Sequence, residues 1–251
     1  MEKPFTPIVT ETAPTQIAKR IKAAILSGVL KVEERLPTET ELAETFAVSR
    51  HTIREALKRL AAENLVESRR GAVGGSFIKV PTWQDIKSSI ATSLTVAASL
   101  NQLTFEQVID CRFEMISMCC RLAATHRDAD DLRAMGAEVA AQRNIEFNDV
   151  EFCASDVRFH CAIAAATKNP IISSHTAGVL EGLEPITNLL LFRFRERDVI
   201  ADQHEEMTKC IEAYNADGAI AALAHQVAYL KEKHLDAQRY RSDRDNRKQQ
   251  A

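Results

Sequence analysis

The sequence predicts a mainly α protein in two blocks, a small N-terminal unit of short helices closed by a β-hairpin and then an all-α antiparallel bundle. Three observations predict it. Apolar residues recur at helical spacing along most of the chain, strand-like runs occur only between about 65 and 80, and Pro81-Thr82 separates the two patterns. With 251 residues, 45% hydrophobic and 27% charged, the chain is long enough to close two cores.

The elements follow in order. Residues 1–14, with Pro4, Pro7 and Pro14 among several threonines, read as a flexible arm. A helix is expected at 16–27, where Ile17, Ile21, Ala24 and Ile25 share a face and Gly28 ends it. In "RLPTETELAETFAV", Pro37 blocks continuation from upstream, Thr38 caps a new helix and Glu41 completes a capping box. That helix is short, 39–46, with Leu42 and Phe46 inward. Ala47-Val48 makes a turn, Ser49 caps the next helix, and Ile53, Ala56, Leu57 and Leu60 give it an apolar side to about Glu63. Two short helices joined by a tight turn make a helix-turn-helix. "LVESRR" and "SFIKV" then flank "GAVGG", whose glycines suit a hairpin tip. A helix-turn-helix followed by a hairpin is a winged helix, here expected at 15–80 with a linker at 81–84. Helices are expected at 84–99, 104–125, 129–143, 147–167, 170–195, 202–215 and 217–238, building a block at 85–238. The segment 239–251, "RYRSDRDNRKQQA", has no apolar side and reads as a polar tail.

Charge narrows the function. The net charge of -3 conceals an asymmetry: residues 1–80 hold 13 Lys and Arg against 10 Asp and Glu, and 46–80 hold 7 against 3. The positive excess therefore lies on the helix-turn-helix and its hairpin, where a nucleic acid would bind. No apolar run approaches the roughly 18 residues of a membrane span. The N-terminus lacks a secretory pattern, so a cytoplasmic setting with no membrane partner is expected. Cys111, Cys119, Cys120, Cys153, Cys161 and Cys210 sit at apolar helical positions without C-x-x-C spacing, and are expected as buried reduced thiols.

"AVSRHTIREAL" carries the chemistry of the first block. In a helix-turn-helix the second helix enters the major groove by its N-terminal end. Ser49, Arg50, His51, Thr52 and Arg54 stand there. Arg50 and Arg54, four apart, share one face, and a guanidinium bonding guanine O6 and N7 together discriminates by roughly 1–3 kcal/mol. Ser49, Thr52 and the helix N-terminus suit phosphates. The competing reading is a solvated helix face.

The stretch "ILSGVL…ERLPTETELAETFAVSRHTIREALKRLAAENLVESRRG" resembles the DNA-binding domain of GntR-type bacterial transcription regulators, with L-P-S-E-x-x-L-A, V-S-R-x-x-[VIL]-R-E-A-L and a wing. The resemblance covers about 16–80. It implies DNA contacts from Arg35, Arg50, Thr52 and Arg54, and a wing placed in the minor groove by Arg70 and Gly71. Asn64 stands where the family has Gly.

In the second block Asp156 and His160 are i and i+4 on one helix, so their side chains converge. His204 begins a later helix. Such a trio suits Zn²⁺, Mn²⁺ or Ni²⁺ held across a bundle, with satisfied core polar groups as the alternative. The block resembles the FCD ligand-binding domain of the FadR-type branch across about 85–235. That resemblance implies an acidic residue and an Arg at Asp110 and Arg112, metal ligands at Asp156, His160 and His204, and a fourth His about 22 residues on. At that place stands Gln226, and the histidine is its neighbour His225, about 100° away on a helix. A metal held by three good ligands and a metal-free polar pocket both remain open. Arg112 is expected to grip a carboxylate, or else to pair with Asp110 or Glu114. Ile116, where the family often has Glu, makes the floor more apolar. Arg193, Arg195 and Arg197 either rim the pocket or lie in a solvated loop.

Together these readings describe a metabolite-responsive transcription regulator, expected as a repressor. It would be a homodimer on a palindromic operator, controlled by a small carboxylate, and not an enzyme. An architectural DNA-binding dimer and a metal-dependent enzyme fused to a DNA-binding head are the alternatives. No general base or nucleophile accompanies the Asp/His trio, which weighs against the second.

Overall fold

A computed structural model of the chain describes residues 11–71, 74–144, 146, 148–191 and 196–249. The chain divides into two compact units, Met1–Asp85 and Ile86–Ala251.

The first unit is a three-helix arrangement with a two-stranded wing. α1 (Ala13–Leu26) packs on α3 (Arg50–Ala62), and α2 (Glu39–Thr45) packs on α3 as well. α2 begins in the expected capping box: Thr38 Oγ1 accepts from the Glu41 N–H at 3.3 Å, and the Glu41 carboxylate accepts from the Thr38 N–H at 2.7 Å. Such a cap contributes about 1 kcal/mol. α2 and α3 both end in the same way. At Ala47 (φ 52°) the chain turns left-handed, and Val48 N–H returns to the carbonyl of Ala43; at Asn64 (φ 57°), Leu65 N–H returns to that of Leu60. These are Schellman motifs built without glycine. The core beneath them is Ile17, Ile21, Leu36, Leu42, Ile53, Ala56, Leu57, Leu60, Val66 and Ile78.

β1 (Val66–Arg69) and β2 (Gly75–Ile78) pair antiparallel, with Val66 opposite Ile78 and Arg69 opposite Gly75. The chain entering α2 joins them. Leu36 N–H donates to Ser76 O and Ile78 N–H donates to Glu34 O, so the wing is tied to the start of the helix-turn-helix.

The second unit contains α4 (Trp83–Ser99), α5 (Phe105–His126), α6 (Ala129–Gln142), α7 (Asp149–Ala165), α8 (Pro170–Leu191), α9 (Arg197–Glu212) and α10 (Ala216–Gln249). Side-chain caps at Thr104, Asp128 and Asn148 set the starts of α5, α6 and α7. α5 is the central column and packs on α7, α8, α9 and α10. Its apolar stripe, Ile109, Ile116, Cys120 and Ala123, is fully buried. Phe152, Phe159, Ile163, Met207 and Leu223 complete the cores around it, each worth about 1.5–3 kcal/mol on burial. Gly178 and Gly182 let α8 approach α4: a Cβ at either would stand 2.8 Å or less from a backbone oxygen of Lys87 or Ala91.

Three expectations need correcting. Cys111 is exposed, because it lies off the α5 stripe beside Asp110 and Glu114, and Cys161 is only half-buried; Cys119, Cys120, Cys153 and Cys210 are buried. The segment expected as a tail is a continuation of α10, which meets no glycine or proline between Gly218 and Gln249. The helix expected from 202 starts at Arg197.

Candidate nucleic-acid interface and candidate metal centre

Ser49 is the N-cap of α3: its Oγ accepts from the Thr52 N–H at 3.1 Å and lies 2.9 Å from Thr52 Oγ1. The cap fixes the end of α3 that projects Arg50, His51 and Arg54. All three are exposed. Arg50 and His51 make no hydrogen bond or ion pair among the described residues. Arg54 differs. Its Nε and Nη2 both donate to the Glu39 carboxylate, at 3.2 and 2.7 Å. That bond holds the Glu39 carboxyl below its usual range and raises the guanidinium. One edge of Arg54 is thereby committed, whereas the whole Arg50 fork is available.

In the wing, Arg70 and Gly71 are exposed, and Gly71 has φ 108°, a conformation suited to glycine. Arg35 Nη2 donates to Gly74 O at 2.6 Å, so Arg35 braces the wing as well as facing solvent. Arg69, beside Arg70 on the hairpin, pairs with Glu33 and Glu67 and lies 4.4 Å over the Phe77 ring. Ala72 and Val73 of the expected hairpin tip lie outside the described residues.

The second unit holds a buried polar cluster. Asp156 and His160 on α7 and His204 on α9 bring one ligand atom each to within 4.8 Å of one another. Arg112 Nη2, from α5, lies 2.7 Å from Asp156 Oδ2 and 3.3 and 3.4 Å from the two ring nitrogens of His160. His204 Nε2 is 3.5 Å from Asp156 Oδ1. Gln226, on α10, donates from Nε2 to His204 Nε2 at 2.7 Å. Exposure is 7% or less for all five, so the cluster is enclosed by the helices.

The hydrogen bonds set the ring tautomers. His204 Nδ1 is 2.7 Å from Gln142 Oε1, an acceptor only, so Nδ1 carries the proton and Nε2 presents its lone pair to the cluster. His160 Nδ1 lies 3.0 Å from the Asp156 carbonyl and donates there. Burial, reinforced by the neighbouring Arg112, pushes the His160 pKa down to about 4, so the ring is neutral. Neutral rings with their far nitrogen protonated and bonded are what a divalent metal requires of histidine. One carboxylate oxygen and two imidazole nitrogens fit Zn²⁺, Mn²⁺ or Ni²⁺. Gln226 adds only an amide oxygen, and its Oε1 is buried without a partner.

Sequence reasoning placed Gln226 inward and His225 away, and His225 is indeed exposed. The offered partners of Arg112 were wrong: Asp110 pairs with Lys231 at 3.0 Å, and Arg112 takes Asp156. The bond crosses from α5 to α7, beyond any local spacing rule. Glu39 and Gln142 were missed for the same reason. Of the three candidate rim arginines, Arg193 and Arg195 lie outside the described residues, and Arg197 pairs with Asp149. Beside Arg112, a void of about 10 Å³ is lined by Val108, Val179, Leu180 and Leu183, room for about one water.

Residues 14–77 match the family described as "Bacterial regulatory proteins, gntR family", and residues 107–228 match the FCD domain. The chain belongs to the GntR family, with an FCD domain as its second block. It is 27% identical over 238 residues to a proposed L-lactate dehydrogenase operon regulatory protein of Escherichia coli (strain K12), covering 91% of this chain and 87% of that one. Against the HTH-type transcriptional regulator LutR of Bacillus subtilis (strain 168) it is 28% identical over 207 residues, covering 80% and 92%. A solved GntR structure from Streptococcus agalactiae shares the fold at a TM-score of 0.54, with 23% identity over 87% of this chain and 99% of that one. This GntR protein is therefore a DNA-binding transcription regulator and not an enzyme. Among its described residues no helix is long and apolar enough to cross a membrane.

Proposed function

We propose that this GntR regulator is a homodimeric repressor whose affinity for a palindromic operator is set by a small organic acid bound in the FCD block. Arg50 reads a guanine with its open fork, Arg54 approaches with the edge that Glu39 leaves over, and Ser49, His51, Thr52 and Arg35 meet the backbone. Arg70 and Gly71 carry the wing to the minor groove. In the FCD block Arg112 holds the acid's carboxylate beside a divalent ion, Zn²⁺, Mn²⁺ or Ni²⁺, coordinated by Asp156, His160 and His204. The ion would polarise and orient the acid's oxygens.

One observation carries the reading. A charged pair and two histidines, all buried in a helical core, are costly to enclose and add nothing that apolar side chains would not add. A ligand accounts for them. The name of the Escherichia coli relative supports putting 2-hydroxy acids first.

A thermal-shift screen of the purified protein against 2-hydroxy acids, dicarboxylates, sugar acids and amino acids tests this, with operator affinity then measured by fluorescence anisotropy. A hit should change operator affinity by about 5- to 150-fold, and operator DNA should change the acid's affinity by the same factor. An acid that moves neither quantity, across the whole screen, would leave a DNA-binding dimer without an effector.

A further inference from the structure

α10 runs on past the bundle it helps to build. Ala237, at 2% exposure, is the last of its described side chains to be buried, and Gln238, Arg239 and Tyr240 are exposed. The helix continues to Gln249, about 18 Å further at 1.5 Å per residue and beyond the residues that match the FCD domain. Its charge is opposite to that of the block it leaves. Residues 81–238 hold 14 Lys and Arg against 23 Asp and Glu, whereas 239–251 hold 5 against 2.

The cations are also sorted by helical phase. At about 100° per residue, positions Arg241, Arg244, Arg247 and Lys248 fall within an arc of about 120°. Asp243 and Asp245 fall outside it, one beyond each edge, and Ser242, Asn246 and Gln249 take the opposite side. Upstream, the same arc holds Gln226, Leu230 and Ala237, which the bundle buries. One side of the helix thus changes from core to cationic between Ala237 and Arg241, within about one turn. Cations on that side cannot pack against apolar helices without a heavy desolvation cost, so the extension suits a different partner. Favourable pairing with the helix dipole needs cations only in the last turn, where Arg247 and Lys248 stand, and leaves Arg241 and Arg244 unexplained.

The composition narrows that partner. From Arg241 to Gln250 there is no apolar residue. A protein interface is built around apolar and aromatic anchors, and a helix lying on a membrane needs an apolar face to bury. A DNA duplex needs neither, because its phosphates bind cations by releasing their counter-ions. It is also the macromolecule that a GntR regulator already handles. We infer that the basic end of α10 is a second DNA contact, separate from the winged helix, which holds phosphates whatever the base sequence. This goes beyond the function proposed above, in which every DNA contact lies on the winged helix.

Fluorescence anisotropy of the full-length protein on a duplex of arbitrary sequence and about 40 base pairs, across a salt series, tests it. Arg241→Gln, Arg244→Gln, Arg247→Gln and Lys248→Gln are combined in one variant, since glutamine keeps the helix propensity. That variant should bind at least about 10-fold more weakly at low salt, with the slope of log affinity against log salt reduced by about 2 to 4 per protomer. Lysine at the three arginine positions keeps the charge and should keep both quantities near those of the parent protein. A control loses the same charge elsewhere, through Arg133→Gln, Lys168→Gln, Lys209→Gln and Lys231→Gln. Those cations pair with carboxylates on the bundle, and the control should change the slope by less than about 1. Equal losses in the two glutamine variants would reduce the effect to net charge and overturn the inference. A lysine variant as weak as the glutamine one overturns it too, as does a parent protein that leaves the duplex free at the lowest salt. An α10 variant that binds the duplex as the parent does is equally decisive against it, and a smaller species in sedimentation would then assign the basic end to a second copy of the chain.

Discussion

The two blocks of this GntR protein use polar residues in opposite ways. The winged helix keeps its chemistry on the outside, at Ser49, Arg50, His51, Thr52 and Arg54 around the buried Ile53, where the charges reach solvent and cost little. The FCD block keeps its chemistry inside, with Arg112, Gln142, Asp156, His160, His204 and Gln226 drawn from five helices and buried. Exposed residues can be exchanged one at a time. Buried ones are coupled, because the loss of one strands its partners. The difference predicts that substitutions in the FCD cluster act on stability first, and those on α3 act on DNA affinity with the fold intact.

The largest effect is expected from Asp156→Ala. It leaves the Arg112 guanidinium buried without its carboxylate and should cost about 3–5 kcal/mol. Hydrogen exchange read by mass spectrometry would localise the loss to α5, α7 and α9, with the core of the winged helix protected as before. A loss below about 1 kcal/mol would mean that water reaches the cluster and that the contrast between the blocks is overstated.

Next comes Arg50→Ala, expected to cost about 1–3 kcal/mol of operator affinity in a base-dependent way, with an unchanged melting profile. Arg54→Ala should lose less base discrimination than Arg50→Ala, since Glu39 already occupies one edge of its guanidinium. Anisotropy on operator and scrambled duplexes across a salt series distinguishes the two. Equal loss on both sequences would reassign Arg50 to a phosphate.

The same contrast explains what the sequence could disclose. The winged helix was legible because its determinants are local: Thr38 to Glu41 and Ser49 to Thr52 are three apart, and a turn, a cap and an apolar spacing can be read directly. The Asp156 and His160 pair was legible for the same reason, being i and i+4 on α7. Nothing local joins Arg112 to Asp156, His204 to Gln142 or Arg54 to Glu39, which meet across 44, 62 and 15 residues. Cys111 shows a subtler limit. A small apolar residue type suggests an inward position, but helical phase, which puts Ile109, Arg112 and Ile116 inside, turns it outward.

A smaller effect is expected from Ser49→Ala. It removes the acceptor of the Thr52 N–H and should destabilise the winged helix by about 1 kcal/mol, with no change in hydrogen exchange through the FCD helices. Operator affinity should fall further than stability requires, because the first turn of α3 frays where Arg50 is anchored. If affinity holds while stability drops, Arg50 is positioned by something other than its cap.

The smallest effect has the opposite sign, and it probes what the exposed block tolerates. Ala47 and Asn64 both hold left-handed backbone at helix ends. For an alanine that conformation costs roughly 1–2 kcal/mol, whereas an asparagine's short polar side chain recovers part of it. Replacing either by glycine removes the cost but loosens the unfolded chain by about 0.4–1 kcal/mol. The two terms nearly cancel at Asn64. At Ala47, whose methyl is exposed and packs against little, the first should exceed the second. Ala47→Gly is thus expected to stabilise the winged helix by up to about 1 kcal/mol, and Asn64→Gly to change it by less than about 0.5. Denaturant midpoints at an unchanged slope would measure both. A clear loss at Ala47→Gly would mean that the turn between α2 and α3 depends on restricting the unfolded chain more than on the comfort of the folded one.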